Sequence, residues 1–334
     1  MEGTENAEAP MSFFDLAGQN ILSPMVLFFV LGAALSLARS DLSIPGSVAK
    51  LLSLYLMMSI GFRGGVEVAH HGLSAALAAA LAAGVMLSFA IPFVAFVLLR
   101  IATGLSVPDA ASVAAHYGSI SAVTLVAVTS ALGQLGIPFE GYMIAVAAAM
   151  ETPAILSALF LARGGQAQAQ GRGSELVREI LLNGAVVMLL GSFLIGIVTG
   201  DRGQVLLKPF LVDAFPGFLC LFLLDMGLVA GRGLRDERRS LSFRLAVFAV
   251  VMPLIGGACA ALLAPWIGLS TGGIAVFITL AASASYIAVP AAMRLALPQA
   301  RAAIPLALSL GVTFPFNLLL GIPLYISLAR AIGG

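Results

Sequence analysis

The chain has 334 residues, of which 60% are hydrophobic and only 10% are charged, and its formal net charge is +1. An average soluble domain carries roughly 25% charged residues, so this composition excludes a soluble globular protein. The scattered, nearly neutral charge also argues against nucleic-acid binding. Since about 20 apolar residues span a bilayer as a helix, the composition predicts an all-α polytopic membrane protein with about ten transmembrane helices.

Ten apolar runs follow one another along the chain, and each is predicted to be a transmembrane helix. The fourth and the ninth are interrupted in the middle by small and polar residues, which predicts two broken helices. The runs cover residues 22–38, 48–60, 73–99, 106–132, 142–162, 180–198, 216–230, 243–266, 272–297 and 304–329.

A polar linker rich in Gly and Gln divides the chain near its midpoint, at residues 164–175. The sequence before it resembles the sequence after it at three places in the same order. This predicts two five-helix repeats, one at 1–163 and one at 176–334, joined by a cytoplasmic linker. The matched segments are 55–65 with 221–231, 119–121 with 283–285, and 151–153 with 313–315.

Basic residues are concentrated in the connections that follow odd-numbered helices, as with Arg100 and Arg301. Cytoplasmic connections of membrane proteins carry such an excess, which places these connections in the cytoplasm and both termini outside. Because each repeat has an odd number of helices, the second repeat is inverted. Inverted repeats with broken helices are typical of secondary transporters, whose sites lie near the midplane.

The two predicted breaks lie at residues 116–121, with the sequence HYGSIS, and 282–287, with the sequence ASASYI. If a new helix begins at each break, two helix N-termini approach each other near the midplane and form an anion site. The serine hydroxyls add donors for an anion and oxygens for a cation. In the alternative interpretation, the small residues and serines only allow close packing of helices.

Two acidic residues lie within apolar runs, Glu151 and Asp225. An intramembrane acid is a functional candidate because burying an unpaired carboxylate is costly. Glu151, followed by Thr152 and Pro153, is a candidate ligand for sodium or a carrier of a proton. Asp225 is a second candidate for a functional acid. Alternatively, it is a structural group that accepts a hydrogen bond from a neighbouring helix end. The sequence has no HExxH, GxSxG or phosphate-binding loop, which predicts no cofactor and no catalysis.

Several stretches resemble the sodium-dependent bicarbonate transporter family first known from cyanobacteria. Nearly the whole chain is covered, and the motif in the ninth run is the most specific. Three positions depart from the cyanobacterial pattern, at Tyr286, at Ala122 with Val123, and at Glu151. The stretches that carry the resemblance are 55–65, 117–121, 150–153, 280–294 and 313–317.

The resemblance implies a homotrimer whose protomers have core and gate parts, in a bacterial inner membrane, with a cytoplasmic PII-like regulator as a further partner. It implies symport of bicarbonate with sodium. It implies Ser121 and Ser285 as candidate sodium ligands, and Glu151 joins them on the separate argument from its place in an apolar run. The residues implied around the anion are Tyr117, Gly118, Ser119, Ser283, Ala284, Ser285, Tyr286 and Ile287.

Two other functions remain open from the sequence. A symporter of another small organic or inorganic anion would share the same features, because the electrostatic argument identifies a small anion but not which one. An intramembrane enzyme would use Glu151 and Asp225 as a pair of acids, although their different places in the two repeats give no reason for contact.

Overall fold

The computed structural model is entirely helical in the part of the chain that it describes, and no strand is present there. Within this part, seven helical segments are long and apolar enough to cross a membrane, with residues 107–134 and 143–162 counted as one segment each, and two shorter apolar helices accompany them. The protein is therefore a multi-pass membrane protein. The predicted linker lies outside the described residues, which are 18, 21–71, 74–162, 184–236, 242–286, 289–290, 293 and 297–333.

Before the linker, the described residues give bounds for seven helices. Two of them, α4 and α5, belong to the fourth apolar run, and two more, α6 and α7, belong to the fifth. The helices are α1 (Pro24–Leu37), α2 (Gly46–His71), α3 (Ala75–Ala102), α4 (Val107–Gly118), α5 (Ala122–Gln134), α6 (Met143–Ala149) and α7 (Glu151–Ala162).

Five helices are described after the linker. The last one contains two π-helical segments, Ser309–Thr313 and Asn317–Gly321, and such segments are frequent at functional sites. The helices are α8 (Gly184–Lys208), α9 (Phe215–Asp236), α10 (Phe243–Leu263), α11 (Thr271–Ala281) and α12 (Ala303–Gly333).

Two helices extend furthest beyond the apolar runs that predict them. Helix α2 continues past residue 60 to His71, because its second half packs against protein through buried residues such as Gly65 and Val66 and needs no lipid-facing apolar surface. Helix α8 continues to Lys208 with a kink at Gly200, whose φ of 52° is left-handed and favours glycine.

Helices α1 and α9 approach each other closely through glycines. A Cβ atom on Gly32 would lie 2.1 Å from the Leu224 carbonyl oxygen, and one on Gly227 would lie 2.1 Å from the Phe29 carbonyl oxygen. Small residues allow such backbone contact between membrane helices. One helix from before the linker therefore packs against one from after it.

Helices α2 and α8 form a second pair of the same kind. A Cβ atom on Gly65 would lie 1.9 Å from the Phe193 carbonyl oxygen, and one on Gly196 would lie 2.2 Å from the Phe62 carbonyl oxygen. The pattern of contacts is the same in both pairs. Gly65 meets Phe193 as Gly227 meets Phe29, and Gly196 meets Phe62 as Gly32 meets Leu224.

The contacts of the two pairs match Gly65 with Gly227, whereas the sequence comparison matches Gly65 with Gly231. The two alignments differ by four residues, about one helical turn, so they place the same face of the helix at the interface. The alignment of the two halves in this region stays a prediction, and both registers are compatible with these contacts.

We expect Gly196→Ala to lower the free energy of unfolding by about 2 kcal/mol or more, because the added methyl group meets a backbone carbonyl that cannot move aside. The matched control on the same helix is Gly191→Ala, since a Cβ atom there meets nothing within 4 Å. That variant should be neutral or stabilised by up to about 1 kcal/mol. Thermal unfolding of both detergent-purified variants checks the difference, and equal melting temperatures would contradict it.

Candidate functional site

The fourth apolar run is broken at residues 119–121. Helix α4 ends at Gly118, Ser119 and Ser121 are extended, and α5 begins at Ala122. The Ser121 hydroxyl oxygen caps α5 by accepting a hydrogen bond from the Thr124 N–H at 3.1 Å. The three residues of the break are buried, so the chain here has non-helical backbone deep inside the protein.

The ninth apolar run is also interrupted, since α11 ends at Ala281 and residues 282–286 are not helical. The Ser283 hydroxyl donates to the Leu280 carbonyl at 2.8 Å. The Asn317 side chain of α12 donates to the Ala282 carbonyl at 2.8 Å. These bonds satisfy carbonyl groups that the end of α11 leaves without helical partners. Ile287, a predicted anion-binding residue, lies outside the described residues.

The two breaks are hydrogen-bonded directly to each other. The Ser121 N–H donates to the Ser283 hydroxyl oxygen at 2.9 Å, and the Ser285 N–H donates to the His116 carbonyl at 2.7 Å. Each bond uses a backbone group that a continuous helix would have paired within itself. The structure thus brings together the serines of both predicted breaks, and we call residues 116–121 and 282–286 together the crossing.

Helix α12 holds the crossing through Tyr117. The Thr313 hydroxyl donates to the Ala249 carbonyl at 2.6 Å, so the Tyr117 hydroxyl, 2.7 Å away, donates to Thr313. The Tyr117 ring also packs edge-on against Phe248. The phenol of Tyr117 is therefore directed toward α10 and α12, and its hydrogen is used within the protein.

Helix α12 also supports the second break through a short chain of hydrogen bonds. The Asn317 oxygen accepts a bond from the Tyr325 hydroxyl at 2.9 Å, while its amide nitrogen serves the Ala282 carbonyl. Thr313 and Asn317 were not predicted as site residues. The signal that could have identified them was their polarity within an apolar run, which is costly in a membrane unless the group has a partner.

Gly118 lies where α4 meets α3 and α7. A Cβ atom on it would lie 2.3 Å from Cγ of Pro92 and 3.0 Å from Cβ of Ala154. The glycine is therefore required by packing, whatever its part in binding. Helix packing here also locates Glu151, which precedes Ala154 by about one turn and is buried. Glu151 therefore lies at about the depth of the first break.

Several buried polar atoms at this depth have no hydrogen-bond partner among the described residues. They are Oγ of Ser119, Nε2 of His116 and Oε2 of Glu151, while the Tyr286 hydroxyl lies beside Ser121 without a bond of standard geometry. Buried polar atoms in folded proteins are nearly always paired. Such a concentration of unpaired donors and acceptors is a candidate place for a small polar ligand or an ion.

The start of each broken run is hydrogen-bonded to the connection that follows the other broken run. Asp109, in the first turn of α4, accepts hydrogen bonds from the Arg301 backbone N–H at 2.8 Å and from its guanidinium at 2.8 and 3.0 Å. Glu140 accepts a bond from the Ser270 N–H at the start of α11 at 2.6 Å. These two contacts fix both ends of the crossed helices.

The other intramembrane acid, Asp225, is buried on α9. That helix packs closely against α1, so Asp225 belongs to the α1–α9 pair. Among the described residues, no group of three or more His, Cys, Asp and Glu residues could hold a metal ion.

A family model described as the Na⁺-dependent bicarbonate transporter superfamily matches residues 24–330. The match covers most of the chain, including both breaks and the whole of α12 up to its last turn. None of the curated proteins matches this chain significantly.

Proposed function

The chain belongs to the Na⁺-dependent bicarbonate transporter superfamily, and we propose that it is a secondary active transporter that takes up bicarbonate together with sodium. The observation that carries this proposal is the crossing. Two interrupted helices are hydrogen-bonded to each other at membrane depth and are surrounded by buried polar atoms without partners. Irregular backbone at this depth is expected only where it lines a binding cavity or is buried in protein.

We propose ten transmembrane helices in two inverted repeats, 1–163 and 176–334, with a cytoplasmic linker at 164–175 and separate core and gate parts. The matched glycine contacts of α1 with α9 and of α2 with α8 support the repeat, because each is the counterpart of the other. The reciprocal contacts of Asp109 with Arg301 and of Glu140 with Ser270 support it in the same way.

We place the anion between the two breaks, against Tyr117, Gly118 and Ser119 on one side. The second side consists of Ser283, Ala284, Ser285, Tyr286 and Ile287. The unpaired Ser119 hydroxyl supports a role for that residue. The hydroxyl of Tyr117 already donates to Thr313, so we propose that Tyr117 contributes its backbone and ring, and that N–H groups in the first turn of α5 provide the positive end of a helix dipole.

We propose Ser121, Ser285 and Glu151 as sodium ligands. Sodium is a hard cation that prefers oxygen, and a carboxylate at membrane depth is stabilised by a bound cation. Glu151 lies near the first break and its Oε2 has no partner within the described structure, which supports this assignment. The Ser121 hydroxyl accepts the Thr124 N–H and keeps a second lone pair for a cation.

The larger assembly that we propose is a homotrimer in a bacterial inner membrane, with both termini outside and a PII-like regulator on the cytoplasmic side. These features rest on the resemblance and on the distribution of arginines. Membership of a transporter family excludes the alternative of an intramembrane enzyme with Glu151 and Asp225 as acids. Transport of another small anion stays the competing function, because the electrostatic argument predicts a small anion but not which one.

Uptake of radiolabelled bicarbonate into cells that express the protein tests the proposed function. We expect uptake at pH 8 that depends on external sodium and is not supported by potassium. Excess unlabelled bicarbonate should abolish the signal, and other small anions should compete weakly. Uptake without any sodium dependence, or stronger competition by a different anion than by bicarbonate, would contradict the proposal.

A further inference from the structure

A cavity of about 180 Å³ lies beside the first break, on the side of the crossing where α4 begins. Ser112 and His116 line it from α4, and Pro290 and Met293 line it from the chain that follows the second break. Its volume has room for a small anion with several waters. The distribution of arginines predicts that this side of the crossing faces the cytoplasm.

The side chain of His116 is 1% exposed, and its hydrogen bond fixes which ring nitrogen carries the proton. Nδ1 lies 2.7 Å from the Ser112 carbonyl oxygen, which can only accept, so Nδ1 must donate. No carboxylate is paired with the ring in the described part of the chain, and a buried unpaired imidazolium is costly. The neutral ring then has a lone pair on Nε2, which can only accept a hydrogen bond.

The Nε2 atom of His116 has no partner among the described residues. Because Nδ1 is directed to the backbone of its own helix, the ring edge with Nε2 is the part left to meet a ligand in the cavity. The His116 backbone carbonyl accepts the Ser285 N–H at 2.7 Å, so the residue belongs to the crossing itself. A ligand that leaves the crossing for the cavity therefore passes an acceptor.

We infer that His116 is a specificity-determining residue: on the cavity side of the crossing, its Nε2 accepts a hydrogen bond from the O–H group of bicarbonate. This inference rests on the proposed function. Bicarbonate carries one hydroxyl donor, whereas formate, nitrate and chloride carry none and would place an acceptor or a bare anion against the Nε2 lone pair. A site built to accept a hydrogen bond rejects analogues that lack the donor.

Two substitutions separate the acceptor from the packing of the ring. His116→Asn places an amide N–H where Nδ1 lies and keeps the bond to Ser112 but removes the acceptor. His116→Gln places an amide oxygen near the position of Nε2 and keeps the acceptor. Met188→Leu, on α8 and outside the lining of this cavity, is the control for a conservative change.

The measurement is radiolabelled bicarbonate uptake at pH 8 and saturating sodium, with formate and nitrate as competitors. For His116→Asn we expect the half-saturating bicarbonate concentration to rise by about tenfold, while inhibition by formate and nitrate strengthens relative to bicarbonate. His116→Gln and Met188→Leu should stay within about threefold of the wild type in both quantities. Elution as a single species in detergent confirms that each variant is folded.

An unchanged preference for bicarbonate over formate in a folded His116→Asn variant would overturn the inference and leave the proposed function standing. Equal losses in the Asn and Gln variants would overturn it as well, because they would assign a packing role to the ring. Absence of sodium-dependent bicarbonate uptake by the wild type would instead overturn the proposed function.

Discussion

Replacing Glu151 by glutamine is expected to raise the sodium concentration needed for half-maximal uptake by about tenfold or more, with uptake partly recovered at high sodium. Glutamine keeps the shape of the side chain but removes its charge. A carboxylate at this depth is stabilised by a cation beside it, so loss of the charge weakens sodium binding. The crossing does not depend on this carboxylate, because its hydrogen bonds come from Ser121, Ser283 and Ser285.

The matched control for Glu151 is Glu140→Gln. Glu140 also has an Oε2 atom without a partner in the described structure, but its Oε1 accepts the Ser270 N–H at the start of α11. That variant should keep the sodium dependence of the wild type. A sodium titration at two pH values separates the roles of Glu151: an unchanged sodium curve would remove it from the cation site, and a response to pH in place of sodium would make it a proton carrier.

Replacing Asn317 by leucine is expected to reduce uptake by more than about tenfold and to destabilise the protein by about 2–6 kcal/mol. The substitution leaves the Ala282 carbonyl and the Tyr325 hydroxyl without their partners inside the protein. Each buried polar group left unpaired costs about 1–3 kcal/mol. Ala282 begins the second break. Loss of the hydrogen bond to its carbonyl should therefore also displace Ser283 and Ser285.

The control for Asn317 is Tyr325→Phe, which removes one hydrogen bond but keeps the bond from Asn317 to Ala282. We expect it to lose about 1 kcal/mol of stability and to retain most of the uptake. Melting temperatures in detergent and initial uptake rates of the two variants provide the comparison. Equal uptake by Asn317→Leu and the wild type would show that the second break does not need α12.

The positions of the helices could be predicted because a lipid-facing helix must be apolar along its length. Their ends were less predictable where helices face protein. Helix α2 passes through Arg63 and continues to His71, since glycine-mediated contact with α8 can stabilise a helix whose sequence is no longer apolar. The close approach of Gly65 to the Phe193 carbonyl could not be predicted either, because it depends on three-dimensional packing.

The breaks themselves could be predicted from small and polar residues at equivalent places in two apolar runs. Their mutual hydrogen bonds could not be, because Ser121 and Ser283 are brought together by the packing of segments distant in sequence. The predicted anion-binding role of Gly118 did not anticipate its contact with Pro92. A bulky residue at Gly118 would disturb packing as well as binding, so it cannot test binding alone.

Protection of an introduced cysteine by substrate tests whether the anion binds at the crossing. Ser119→Cys is made in a chain whose two native cysteines, Cys220 and Cys259, are replaced by alanine, and its reaction with a small thiol reagent is timed. Ser130→Cys, on α5 beyond the first break, is the control. We expect bicarbonate with sodium to slow the reaction of the thiol at position 119 several-fold, chloride with sodium to have no effect, and position 130 to be unaffected. Equal rates at position 119 with and without bicarbonate, in a variant that still transports it, would contradict an anion site at the crossing.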